Sequence, residues 1–199
     1  MKLVAIVGTN SARSTNRKLL KFMSKHFSKL AEIEVLEIKD LPPFNEPEDK
    51  IAPAAVAEFS EKIAQADGVI IATPEYDHTI PAPLASTLEW IAYTTRVLIN
   101  KPTMIVGASL GSLGTSRAQA HLRQILDAPE LKARIMPGTE FFLGHSEQVL
   151  DENFDLNDPE KVAELEDNFK EFQAFVNINN QIVSQADTDR KRAFAWEIN

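Results

Sequence analysis

Five short apolar runs, set apart by polar loops and amphipathic stretches, give the chain its rhythm. Leu3–Val7 is rich in β-branched residues and stops abruptly at Gly8, as a buried strand does. Leu19, Leu20, Met23, Phe27 and Leu30 follow at helical spacing, with Ser14 or Asn16 placed to cap that helix. Ile33–Ile38 alternates apolar and acidic residues and predicts a strand with one exposed side. A proline-rich loop over 41–53 leads to a second amphipathic helix, Ala54–Ala66. Gly68–Thr73 is a fully apolar strand ended by Pro74, which cannot continue a central ladder. Helices over Leu84–Val97 and Arg117–Leu126 flank a third buried strand, Pro102–Ala108. Ile135–Phe142 is read as the fifth strand. A last long helix starts with Asp158 as cap and Pro159 in the first helical position, and carries Leu165, Phe169, Phe172 and Val176.

Strand and helix alternate about five times, which predicts an α/β protein with a parallel sheet covered by helices on both faces. A length of 199 residues suits one domain, read here as 1–183, followed by a tail over 184–199. The tail holds Arg190, Lys191 and Arg192, then Phe194 and Trp196, and reads either as a loosely held end or as a docking arm onto a second subunit.

Charge and composition narrow the chemistry. The formal net charge is -8, so attraction to nucleic acid or anionic lipid is not expected. Zero cysteines exclude disulfides, thiolate metal sites and cysteine nucleophiles. The opening residues lack the long apolar core of a signal peptide, and no stretch has the length of a membrane span; a cytoplasmic protein is expected. His26, His78, His121 and His145 show no metal-ligand spacing, and His26 and His121 fall on helix surfaces. There is no G-x-S-x-G elbow and no carboxylate cluster with EF-hand spacing, so a hydrolase triad lacks support, no acid, base or nucleophile stands out, and no metal is expected.

Ligands of open parallel sheets bind at the carboxyl ends of the strands, near the switch in strand order. Three loops there carry the candidates. Gly8–Asn16 offers Thr9, Ser11, Ser14, Asn16 and Arg13 beside a helix N-terminus, a setting that suits a single terminal phosphate. It is neither a P-loop nor G-x-G-x-x-G. A polar turn with a helix cap accounts for the same residues. Thr73–Pro81 is stiffened by prolines and presents Pro74, Glu75, Tyr76 and Asp77, which could pack along a flat ring; a surface turn is the alternative, but the loop's place after a central strand favours the ring. His78 could approach a substrate or stay solvated. Gly107–Gly114, with Ser109, Leu110, Gly111 and Gly114, could let backbone approach a ring closely, or be a flexible connection.

With these loops in view, the chain resembles the NADPH-dependent FMN reductase family, which includes flavin, azo, quinone and chromate reductases. The family opening, roughly G-S-x-R-x-x-S-x-N, reads here as Gly8 to Asn16. The ring loop P-E-Y-N-x-x-I-P reads as Pro74 to Pro81, followed by Leu84, Leu88 and Trp90. The segment Gly107 to Arg123 resembles G-A-S-x-G-x-x-G-x-x-R-A-Q-x-x-L-R. The resemblance covers about residues 1 to 145.

Two departures stand out. Ser11 takes the place of the family arginine, with Arg13 a candidate replacement, and Asp77-His78 replaces the commoner Asn-Gly. An ionised Asp77 near the pyrimidine edge would disfavour a reduced anionic ring.

The resemblance implies a flavodoxin-like three-layer sandwich with a five-stranded sheet in the order 2-1-3-4-5. It also implies FMN as cofactor, NADPH or NADH as co-substrate, a small-molecule acceptor (flavin, quinone, azo dye or metal oxyanion), and a homodimer or homotetramer. Two other readings remain. An FMN-binding electron carrier or redox sensor would serve a protein partner, which the acidic charge suits but the single aromatic of the ring loop does not. A flavin-free interaction module would not hold FMN at all.

Overall fold

The computed structural model describes residues 1–185. Among the described residues, six parallel strands and six α-helices follow one another. They are β1 (Lys2–Val7), α1 (Thr15–His26), β2 (Glu32–Glu37), α2 (Ala54–Gln65), β3 (Gly68–Ala72), α3 (Ala82–Trp90), β4 (Pro102–Ala108), α4 (Ser116–Leu126), β5 (Arg134–Ile135), β6 (Phe141–Leu143), α5 (Ser146–Val149) and α6 (Pro159–Gln185). The order across the sheet is β2-β1-β3-β4-β5, with β6 also on β4. The chain builds outward from β1 to β2, then returns to add β3 on the other side. The switch in direction thus lies between β1 and β3.

Side chains alternate faces along each strand and so feed two cores. Leu3, Ala5 and Val7 of β1, with Met104 and Val106 of β4, meet Leu19, Leu20 and Met23 of α1 and Leu165, Phe169, Phe172 and Val176 of α6. Val4, Ile6, Ile71 and Ile105 point the other way, toward Phe59 and Ile63 of α2, Leu84 and Leu88 of α3, and Leu122 and Leu126 of α4. Strands buried on both sides are why β1, β3 and β4 read as continuous apolar runs. Phe27, just past α1, stacks on Phe169 with ring centroids 3.9 Å apart, which joins the two helices of the first layer.

Three local features differ from the pattern read in the sequence. The fifth strand is two short pieces rather than one continuous Ile135–Phe142. Between them Pro137 lacks an N–H, Gly138 takes φ +71, and Arg123 donates to the carbonyls of Met136 and Thr139, both at 3.0 Å. The helix over 84–97 starts at Ala82, and at Ile91–Thr95 it loosens into a π-turn ended by Arg96 in the left-handed region at φ 54. Helix α1 ends at His26, leaving Leu30 on an exposed turn.

Ser14 is the cap of α1, its hydroxyl accepting from Arg17 N. Asp158 caps α6, its carboxylate accepting from the amides of Glu160 and Lys161, both at 3.1 Å. Among the described residues no helix is long and apolar enough to cross a membrane, and no group of three acidic, histidine or cysteine side chains could hold a metal ion. Arg190 to Trp196, the possible docking arm, lies outside the described residues.

Candidate functional site

A cleft of about 520 Å³ opens at the carboxyl ends of β1, β3 and β4, within the range of small-ligand and cofactor sites. Thr9, Arg13, Ser14, Thr15 and Asn16 line it from the first loop; Pro74, Glu75 and Tyr76 from the second; Ala108, Ser109, Leu110 and Gly111 from the third. Ser11, Asp77 and Gly114 do not line it. Glu147, at the start of α5, does. It was missed in the sequence although its signal was present, since α5 follows β6 and so leaves the same end of the sheet.

The first loop is held from behind. Thr9 is 1% exposed and its hydroxyl accepts from Ser11 N at 3.2 Å. The helix it leads into presents first-turn amides that no intrahelical carbonyl can satisfy, and Ser14, Thr15 and Arg13 stand beside them. An anion at that position meets N–H dipoles, hydroxyls and one guanidinium together. Asn16 works differently. Its amide donates to Ala108 O and accepts from Ala108 N, so its side chain joins two walls of the cleft.

Arg17 also lies behind the loop. It donates from Nε and Nη2 to Glu37 at 2.5 and 2.8 Å, and from Nη1 to Ser11 O and Ala12 O at 2.8 and 3.2 Å. The hydrogen bond to the Glu37 carboxylate raises the guanidinium pKa above its ordinary value, against the lowering effect of burial.

The second loop is a two-residue hairpin turn. Tyr76 and Thr79 exchange backbone hydrogen bonds, each 3.0 Å, around Asp77 at φ 50 and His78 at φ 66. Two left-handed residues in succession define a type I′ turn, for which Asn-Gly is the favoured pair. That is the physical sense of an Asn-Gly pattern here, and Asp77-His78 fills the turn with more strain.

The Glu75 carboxylate turns away to α4. It accepts from Arg117 Nε at 2.6 Å and from the amides of Arg117 and Ala118 at 3.1 and 3.4 Å. Thr79 Oγ1 also hydrogen-bonds Nδ1 of His121, an exposed residue of the same helix. Tyr76 is left 49% exposed at the mouth of the cleft.

The third loop is braced against the segment after β6. Ser109 N donates to Leu143 O, Ser146 N to Ser109 O, and His145 N to Gly111 O, at 2.9, 3.0 and 2.9 Å. Gly107 is dictated by packing, because a Cβ there would sit 1.7 Å from the Thr115 hydroxyl. Gly111 is the opposite case: it lines the cleft, and a Cβ there would meet nothing within 4 Å.

A hydroxyl-rich loop at a helix N-terminus, a stiff aromatic-tipped loop and an open glycine thus share one cleft. The family model described as NADPH-dependent FMN reductase matches residues 1–148.

The chain belongs to the NADPH-dependent FMN reductase family.

Among relatives, a Vibrio ruber protein named NADH:(hydroxy)cinnamate reductase subunit CrdA is 54% identical over 198 residues, covering 99% of this chain and 98% of that protein. The NADH-dependent flavin reductase subunit 2 of Lactobacillus johnsonii is 46% identical over 184 residues, 88% of this chain and 97% of its own length. Among solved structures, the NAD(P)H:(acceptor) oxidoreductase FerB of Paracoccus denitrificans superposes with a TM-score of 0.75 at 26% identity, covering 90% of this chain and 97% of FerB. The fold is flavodoxin-like, and the chain is an NAD(P)H-dependent oxidoreductase that uses FMN.

The residues present fit that cofactor. The hydroxyl, amide and guanidinium donors at the α1 end suit its phosphate, and the bare backbone at Gly111 leaves room for a flat group. Two-electron exchange belongs to the flavin itself. The protein's contribution is binding, orientation and electrostatics.

Proposed function

We propose that this chain is an NADH-oxidising flavin enzyme whose FMN is held by Thr9, Arg13, Ser14 and Thr15 at the phosphate and by Pro74 to Tyr76 and Ser109 to Gly111 at the ring. The observation that carries this reading is the meeting of those three loops in one cleft at the switch between β1 and β3. The first-turn amides of α1 and Arg13 hold the phosphate dianion. Pro74 and the Tyr76–Thr79 turn keep the second wall rigid, so the ring is oriented before the nicotinamide arrives. One side stays open for a small planar acceptor such as a flavin, a quinone or an azo compound.

Preference for NADH follows from charge. Arg13 is the sole cation among the described residues that line the cleft, and its place beside the α1 terminus commits it to the flavin phosphate. A 2′-phosphate would then find no free partner there, since nearby Arg117 is engaged by Glu75. Two relatives carry NADH in their names, which agrees with this reading.

The same two relatives are named as subunits. This favours a second reading, in which the chain passes electrons to a partner protein. Self-association is also part of the proposal. An apolar groove of about 460 Å³ on the α3–α4 side, lined by Phe44, Leu88, Ala92, Tyr93, Ile125 and Leu131, is the surface we assign to a second copy in a homodimer or homotetramer. The absence of cysteine and the use of a nicotinamide donor suit a cytoplasmic setting.

Steady-state oxidation of NADH and of NADPH by the chain alone, with FMN, a quinone and an azo dye as acceptors, tests the proposal. Turnover with a small acceptor and a preference for NADH support it. Flavin that NADH reduces but that no small acceptor reoxidises points to the subunit reading.

A further inference from the structure

Arg17 makes no contact with the cleft, yet it holds more of the phosphate loop than any residue that does. Its side chain is 15% exposed, and its guanidinium engages four oxygens: both carboxylate oxygens of Glu37 at the end of β2, and the carbonyls of Ser11 and Ala12. Its own amide is the one capped by the Ser14 hydroxyl, at 3.1 Å. Helix start, loop backbone and sheet edge therefore meet on one side chain.

In a trans peptide the carbonyl and the following N–H point in opposite directions. With the Ser11 and Ala12 carbonyls drawn back onto Arg17, the amides of Ala12 and Arg13 are turned away from it. The ion pair with Glu37 fixes the guanidinium plane, and the rigid fork of arginine lets one group do both jobs. Because Glu37 balances its charge, Arg17 adds little long-range attraction for an anion. Its effect is geometric.

We propose that Arg17 is the positioning residue of the FMN phosphate site: it aims the Arg13 amide, and with it the Arg13 side chain, at the phosphate, and so sets discrimination between FMN and riboflavin. The inference rests on the placement of the phosphate at this loop. It assigns a role to a residue that lies outside the lining of the cleft.

The test compares FMN and riboflavin binding to the flavin-stripped full chain by fluorescence quenching, in wild type, Arg17→Met and Arg13→Met. Riboflavin shares the ring and ribityl chain and lacks only the phosphate. In Arg17→Met the expected result is FMN weakened about ten-fold or more with riboflavin changed by less than about two-fold. A merely structural role would weaken both flavins in proportion, and that result, or no change in either, overturns the proposal.

If Arg17→Met does not fold, Arg17→Lys carries the same comparison. It keeps the charge but cannot bridge Glu37 and two carbonyls, so the FMN-to-riboflavin ratio must still fall, and an unchanged ratio overturns the role. Arg13→Met separates the two premises. Loss of selectivity there but not at Arg17 leaves the phosphate site in place and removes Arg17 from it. Retained selectivity in both variants means that the phosphate binds elsewhere.

Discussion

Asn16 and Ala108 exchange two hydrogen bonds across 92 residues of sequence: Nδ2 donates to the Ala108 carbonyl at 2.8 Å, and Ala108 N donates to Oδ1 at 2.9 Å. The pair is buried, with Asn16 2% and Ala108 1% exposed. It welds the first turn of α1 to the end of β4, so the α1 end and the glycine loop form one rigid wall. In Asn16→Ala the Ala108 groups lose both partners in a dry setting. The expected cost is about 2–3 kcal/mol in urea unfolding, together with weaker FMN retention. Unchanged stability would contradict the weld.

Glu75 does the same for the ring loop. Its carboxylate serves as a cap for α4 and as the partner of Arg117, although the sequence suggested only a cleft-lining role. Glu75→Gln keeps the shape and removes the charge. Stability should fall by about 1–2 kcal/mol, and bound FMN should dissociate faster. Stopped-flow measurement of flavin release checks the second effect.

The turn at Asp77-His78 stores strain that a single change can relieve. A non-glycine residue in the left-handed region costs roughly 1–2 kcal/mol, while glycine loses roughly 0.5–1 kcal/mol to chain entropy. His78, exposed at φ 66, is the position where glycine is preferred. His78→Gly should therefore raise stability by about 0.5 kcal/mol in thermal or urea unfolding. A loss of stability would mean that the imidazole makes a contact worth more than the strain.

Acid sensitivity should centre on the turn between α5 and α6. The Asp151 carboxylate accepts from Asp155 N and Asn153 N, both at 2.9 Å, and from Asn157 Nδ2 at 3.2 Å. These bonds, the one from Asp155 foremost, hold its pKa below the ordinary aspartate value. A depressed folded-state pKa contributes stability above the unfolded value that is lost as pH falls through the folded one. Asp151→Asn should lower stability at neutral pH, where the wild type holds this contribution, and converge with the wild type in acid, so that the acid limb flattens. An acid limb identical to wild type would remove Asp151 from the account.

Much of this architecture was legible along the chain. The runs at Leu3–Val7, Gly68–Thr73 and Pro102–Ala108 read as strands because burial on both faces leaves no polar position to confuse the period. Ser14 and Asp158 announced their helices because capping is a local rule. The cleft was legible because three unusual loops follow three adjacent strands.

What the sequence hid depends on distant partners. The Asn16 amide looked like a phosphate donor and is spent on Ala108, the Glu75 carboxylate is spent on α4, and Arg17 gave no sign that Glu37 stands beside it. The break in the fifth strand at Pro137 and Gly138 was masked by the apolar residues on either side, which keep the strand pattern while the backbone leaves the ladder.

The central claim is that the cleft holds FMN where NADH can reduce it. Anaerobic absorbance titration of the FMN-loaded chain tests this most directly, first with NADH and separately with NADPH. The account predicts stoichiometric bleaching of the flavin band within seconds of adding NADH, and slower bleaching with NADPH. Protein-bound FMN that stays oxidised with both nucleotides would contradict it.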